Sequence, residues 1–368
     1  MINNERLLNT FLDYVRIDSE SRNEGAMAQK VIADLTALGC EVYVDNSMDK
    51  TGSNTGNVYA TLPGNAPGEP IVLSAHLDTV VPGVGVEPVL EDGIIRSKGD
   101  TVLGSDDKSG VAAVVEALRV VTEQNIPHPT VQAVFTVCEE IGLFGSKYLE
   151  YDKLVGKQAI ALDTGTPGVI VTSGPGQYKI EVAVVGRKAH AGVAPEQGIS
   201  AIQVLAEAIA NMKLLRIDPE TTANIGSIHA DYPTNIVAER ATMTAECRSR
   251  DAAKLEAQAE HMEACLQKAC EKYGATLELE RTKAYDAYSH QEDDPVIRRV
   301  AAAMTAAGLT PVLRPGGGGS DANNLCQNGI DAVVVGTGMD KVHTTAEQIA
   351  VADLEGTARM VLELIKAR

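Results

Sequence analysis

The chain has 368 residues, 44% hydrophobic and 22% charged, an ordinary globular composition with enough material for two domains and a substantial core. Its formal net charge of −18 argues against a general binder of nucleic acid or of anionic membranes, both of which call for a basic face. Six scattered cysteines (40, 138, 247, 265, 270, 326) without a C-x-x-C pair suit reduced thiols and a cytoplasmic protein. From the N-terminus, helix-spaced apolar positions predict helices over 5–17 and 24–38, the first in place of any signal peptide. Strand-like runs follow at 40–44, 57–62 and 70–78, then a helix over 109–124 and strands at 130–137 and 158–163. No apolar run reaches the roughly 20 residues of a membrane helix. This alternation predicts an α/β fold whose mostly parallel sheet is flanked by helices.

The texture changes near "SGPGQ" (173–177). A strand (178–185), helix (199–213), two strands (222–230 and 236–247), helix (251–272) and strand (275–283) follow, the β-α-β-β-α-β order of a ferredoxin-like unit. Helix then resumes at 295–308 and a buried strand at 330–338. The expected layout is a discontinuous catalytic domain, 1–175 with 285–368, interrupted by an inserted lid over 176–284.

Five apolar runs end on carboxylates or imidazoles: "AHLDT" (75–79), "GSDDKSG" (104–110), "VCEEIG" (137–142), "ALDTG" (161–165) and "VHTTAE" (342–347). C-terminal strand ends are where open α/β sheets bind ligands. Each feature alone has an ordinary explanation. His76 and Asp78 share a strand face, as a metal ligand with its orienting carboxylate or as a buried histidine satisfied by a neighbour. Asp106 or Asp107 can simply cap the helix that follows, and Asp163 can be turn chemistry. Pooled, two histidines and four or five carboxylates suit zinc, with cobalt or manganese as alternatives. The set is too rich for one catalytic ion and fits two ions sharing a carboxylate and a hydroxide. One of the adjacent glutamates 139 and 140 is then a ligand and the other a proton carrier.

The stretches "SAHLDTVVPG", "TVLGSDDKSGVAA", "FTVCEEIGLFGSKYL", "ALDTG", "KAHAGVAPEQGISAI", "PTNIVAERATMTAECRSRD", "GGGGSDANNL" and "KVHTTAEQI" span residues 74 to 348. In that order they resemble metallopeptidase family 20, the cocatalytic zinc exopeptidases, and within it the peptidase T-like, tripeptide aminopeptidase branch. The resemblance implies a dinuclear enzyme that releases the N-terminal residue of short peptides by attack of a metal-bound hydroxide. It implies His76 and Asp163 on one ion, Glu140 and His343 on the other, Asp106 bridging, Asp78 orienting His76, and Glu139 as general base. It also implies substrate contacts from His190, Asn235 and Arg248, with Gly318 and Gly319 in the glycine-rich loop, and a homodimer formed through the lid. Arg250 is a near competitor of Arg248. One departure stands out: the branch carries an arginine directly before this loop's paired glycines, whereas "RPGGGGSDAN" has Gly317 there and Arg314 three residues earlier. Related dipeptidase, aminoacylase or carboxypeptidase-like activities are the alternatives, and a non-catalytic metal- or peptide-binding protein is a further one.

Overall fold

A computed structural model describes residues 1–367. The chain divides into two compact units, one of residues 1–173, 290–316 and 320 onward, the other of Gly174–Ser289 with Gly317–Gly319.

The first unit is built on a mixed sheet. Across it run Glu41–Val44, Val58–Leu62, Val131–Thr136, Ile71–His76, Gln158–Thr164, Asp331–Gly336 and Val169–Gly174, with Val312–Pro315 pairing the last. The central strands are parallel: Ile71–His76 runs with Val131–Thr136 on one side and Gln158–Thr164 on the other, and Asp331–Gly336 continues the set. Antiparallel pairs occupy the flanks. All six residues of Ile71–His76 and of Val131–Thr136 are buried, which is why these segments read as mostly apolar runs. The helix Ser105–Glu123 packs against Ile71–His76 and is itself packed by Asn4–Val15 and Val351–Ile365. Its small residues permit that crowding. A Cβ on Gly110 would stand 2.7 Å from the Leu162 carbonyl, so only glycine fits there.

A second, smaller sheet orders Met339–Asp340, Gln348–Ala350, Ile94–Ser97 and Pro88–Glu91, all antiparallel. Its strands are two to four residues long, too short for a periodic signal, and the sequence reading has none of them. The turn between Met339–Asp340 and Gln348–Ala350 carries His343, whose φ of 60° lies in the left-handed region.

The second unit is a five-stranded antiparallel sheet with two helices over its own apolar core. The strands are ordered Leu215–Asp218, Thr221–His229, Arg240–Ser249, Gly176–Val185 and Thr276–Tyr285, with helices Ala201–Asn211 and Ala252–Tyr273. Leu215–Asp218 is an edge strand beyond the expected four, turned back by Asp218, which accepts the Glu220 N–H at 2.8 Å. The strand expected from 236 begins at Arg240. Residues 235–239 spend their backbone groups on the 186–201 segment: Ala191 donates to Asn235, Val237 to Ala189, Gly186 to Glu239 and Ala201 to Ala238. Gly317–Gly319 group with this unit rather than with the catalytic segments where they were expected, because Gly319 lies against the Tyr285 ring. No helix among the described residues is long and apolar enough to cross a membrane.

Candidate metal centre

Parallel pairing sets the site. With Ser74 opposite Ala161, His76 and Asp163 come to the same end of adjacent strands. On the other side, His76 lies opposite Thr136, so the turn after Val131–Thr136 brings Glu139 and Glu140 to that end as well.

Asp106 stands between the two histidines. Its Oδ1 is 3.0 Å from His76 Nε2 and its Oδ2 is 3.3 Å from His343 Nε2. His343 Nε2 is also 3.0 Å from Glu140 Oε2, and His76 Nε2 is 3.8 Å from Asp163 Oδ1. Potential ligand atoms of His76, Asp106 and Glu140 cluster, as do those of His76, Asp107 and Asp163. The two adjacent aspartates, open alternatives in the sequence, divide their duties. Asp107 accepts the Gly110 N–H at 3.3 Å, capping the helix, and the His76 N–H at 3.2 Å. Asp106 faces the imidazoles. The peptide between them is cis, and neither residue has helical dihedrals.

Asp78 does more than sit beside His76. The His76 Nδ1 is 2.8 Å from the Asp78 backbone carbonyl and 3.5 Å from its Oδ1. The Asp78 carboxylate accepts the N–H groups of Glu139 (3.0 Å) and Glu140 (3.2 Å) and the Ser21 hydroxyl (2.6 Å). Glu24, which no sequence signal marks, accepts the preceding N–H, that of Cys138, at 2.9 Å, together with the Ser53 hydroxyl at 2.5 Å. Two buried carboxylates thus hold three consecutive amides, and Cys138 takes a left-handed φ of 54°. Two further buried acids escaped the sequence reading. Asp321 accepts the Thr136 hydroxyl at 2.5 Å. Glu347 accepts from the 104–106 segment. Glu347 closes the quoted "VHTTAE" and was legible only as one more acid.

The electrostatics are those of an acid cluster without enough side-chain cations. Burial pushes Glu139, Asp107 and Asp163 well above the usual carboxylate range, with repulsion from neighbouring acids adding to it. Burial also raises Glu140, partly offset by His343. Burial acts against protonated His76, yet Asp106 and Asp78 hold that imidazole well above its ordinary value; Asp106 and Glu140 lift His343 to about 10. Lys108 gives no relief: burial lowers it to about 8 and its ammonium donates to the Ile17 carbonyl at 2.7 Å. The Oε1 of Glu140 is buried with no hydrogen-bond partner, an unpaired acceptor inside the cluster. Mixed imidazole and carboxylate donors, a two-sided aspartate and this orphan oxygen fit divalent cations.

The residues expected to contact substrate lie in the second unit. His190 and Asn235 are exposed neighbours: residue 190 bridges Ile236, and the Asn235 carbonyl accepts the Ala191 N–H at 2.9 Å. His190 Nδ1 accepts the N–H groups of Gly192 and Val193, both at 3.2 Å, leaving Nε2 as the donor in the neutral ring. Arg248 makes a two-point pair with Glu246 at 2.8 and 2.9 Å, and Arg250 donates to the Pro219 carbonyl. A Cβ on Gly319 would collide with the Tyr285 ring at 2.3 Å, whereas Gly318 has open space around it. Arg314 lies in the first unit, on Val312–Pro315.

The profile of a family described as Peptidase family M20/M25/M40 matches residues 72–367. An uncharacterised Bacillus subtilis protein is 41% identical over 100% of this chain and 99% of its own, and Peptidase T of Escherichia fergusonii is 26% identical over 98% of each. Among solved structures, aminopeptidase PepT from Bacillus cereus superposes with a TM-score of 0.91 at 42% identity, covering 99% of this chain and 98% of that one. A tripeptidase from Staphylococcus aureus gives 0.95 at 38% identity, covering 100% and 98%.

Proposed function

Since the chain belongs to peptidase family M20/M25/M40 and is a hydrolase of that family, we propose that it releases the N-terminal residue from short peptides, tripeptides foremost. The observation that carries this reading is the Asp106 carboxylate, which offers one oxygen to each histidine. His76 and Asp163 would hold one divalent ion, Glu140 and His343 the other, and Asp106 both. Such ions, zinc by donor type with cobalt or manganese as alternatives, supply a water acidic near neutral pH and polarise the scissile carbonyl.

The chain's own groups do the rest. Glu139 is 7% exposed and, although its backbone carbonyl accepts the Gly142 and Leu143 N–H groups, its carboxylate accepts no hydrogen bond among the described residues and would be free to take a proton from the attacking water. It returns the proton to the departing amine nitrogen. Asp78 and Glu24 fix the backbone that aims it. His190, through Nε2–H, would stabilise the oxyanion, while Asn235 and the 317–319 loop hold the peptide and Arg248 its carboxylate. The second unit, ferredoxin-like in its strand order 4-1-3-2 plus one edge strand, would act as lid and homodimer contact in a cytoplasmic enzyme. Six free cysteines agree with a reducing compartment.

A panel of di-, tri- and tetrapeptides, N-blocked and C-amidated, run with measured metal stoichiometry, tests the proposal. Turnover should require a free N-terminus and two ions per chain. Cleavage of N-acyl amino acids instead would move the assignment to an aminoacylase or carboxypeptidase-like hydrolase.

A further inference from the structure

Resting on the two-ion reading above, we propose that Glu347 is a positioning residue that sets the bridge between the ions by holding the backbone that presents Asp106. Glu347 is 2% exposed. Its Oε1 accepts the Ser105 hydroxyl at 2.6 Å and the Asp106 N–H at 3.0 Å, and its Oε2 accepts the Gly104 N–H at 2.8 Å. Those are the donors of three consecutive residues. The helix cannot supply this order itself, because Gly104 is left-handed (φ 76°) and Asp106 has dihedrals of −82° and 101°.

The same residue anchors the other histidine. Glu347 stands four residues after His343, and its own N–H donates to the Thr344 carbonyl at 3.1 Å. The imidazole it helps to place has a side chain 54% exposed, on a turn with two left-handed residues, Lys341 and His343. One buried carboxylate therefore ties the turn carrying His343 to the segment carrying Asp106, and those two residues meet at 3.3 Å. All three groups facing Glu347 are donors, so an acceptor-only side chain is required. A glutamine of the same shape would set its NH2 against one of them.

The experiment is a cobalt(II) titration of the metal-stripped full chain, followed by visible d–d absorption, for wild type, Glu347→Gln and Ser105→Ala. Wild type should take up two equivalents. Glu347→Gln should weaken at least one equivalent about 10–100-fold and shift its absorption band, the size expected for losing an outer partner of a ligand. Ser105→Ala, which removes one donor of the three, should weaken it by about 2- to 10-fold. It decides the matter if Glu347→Gln does not fold, as monitored by circular dichroism of the stripped proteins. A merely structural role would lower the unfolding temperature and leave affinity and band unchanged in the folded protein, which overturns the inference. If wild type itself takes up no cobalt, the proposed function falls and the inference with it. If wild type binds two and the variants match it, the inference alone falls.

Discussion

In the first unit, His76, Glu139 and Asp163 are packed at or just beyond the ends of buried strands and Asp106 at the start of a buried helix, with acids pressed against acids; in the second, His190 and Asn235 stand exposed on paired loops. The first arrangement works against folding, because desolvated like charges raise one another's pKa. The His190 ring nitrogen simply caps its own turn. Stability and chemistry are therefore entangled in the first unit and separable in the second. Substitutions and solution conditions can pull that contrast apart.

The largest effect belongs to Glu139→Gln. Loss of a positioned proton carrier should cut kcat by about 10²–10⁴-fold while both ions remain bound, checked by metal analysis of the purified variant. Residual turnover near wild type would remove Glu139 from its role.

Metal removal comes next. Ions held at about 1,000 times their Kd stabilise a fold by about 4 kcal/mol. Chelation should lower the unfolding temperature sharply, and hydrogen exchange should rise around His76 and Asp163 with little change in the Gly176–Val185 strand. Equal destabilisation of both units would break the comparison.

A pH experiment probes Lys108 in the same unit. Burial lowers its folded value from 10.5 to about 8, so between those limits the unfolded chain binds more protons. Stability then rises with pH across that window, by roughly 1–3 kcal/mol at about 1.4 kcal/mol per unit. The stability difference between wild type and Lys108→Met should climb accordingly from pH 8 to 10.5; a flat difference refutes the burial account.

Arg248→Ala carries the smallest expected change. KM should rise about tenfold for peptides with a free C-terminus and stay constant for C-amidated ones, with stability altered by under about 1 kcal/mol, since its Glu246 pair is partly exposed.

Much of the sheet was legible because two-sided burial writes itself as mostly apolar text, as in "IVLSAH" and "VQAVFT". The strand ends carrying His76, Asp163 and the glutamate pair followed from the same signal. Elsewhere the chain gives no local mark. Met339–Asp340 and Gln348–Ala350 are too brief for any period to register, yet they frame His343. The division of duty between Asp106 and Asp107 depends on backbone dihedrals that adjacent identical residues cannot announce. Glu24, Asp321 and Glu347 are buried only because distant segments close over them, and an isolated acid in sequence reads as solvent-facing. The start of Arg240–Ser249 was misplaced for a related reason: a β-like stretch found partners in a loop instead of the sheet.

Asp106 faces one imidazole that precedes it by 30 positions, His76, and another that follows it by 237, His343. If Asp106 serves two ions as proposed, a chain interrupted before His343 is therefore inert, however well its earlier strands fold.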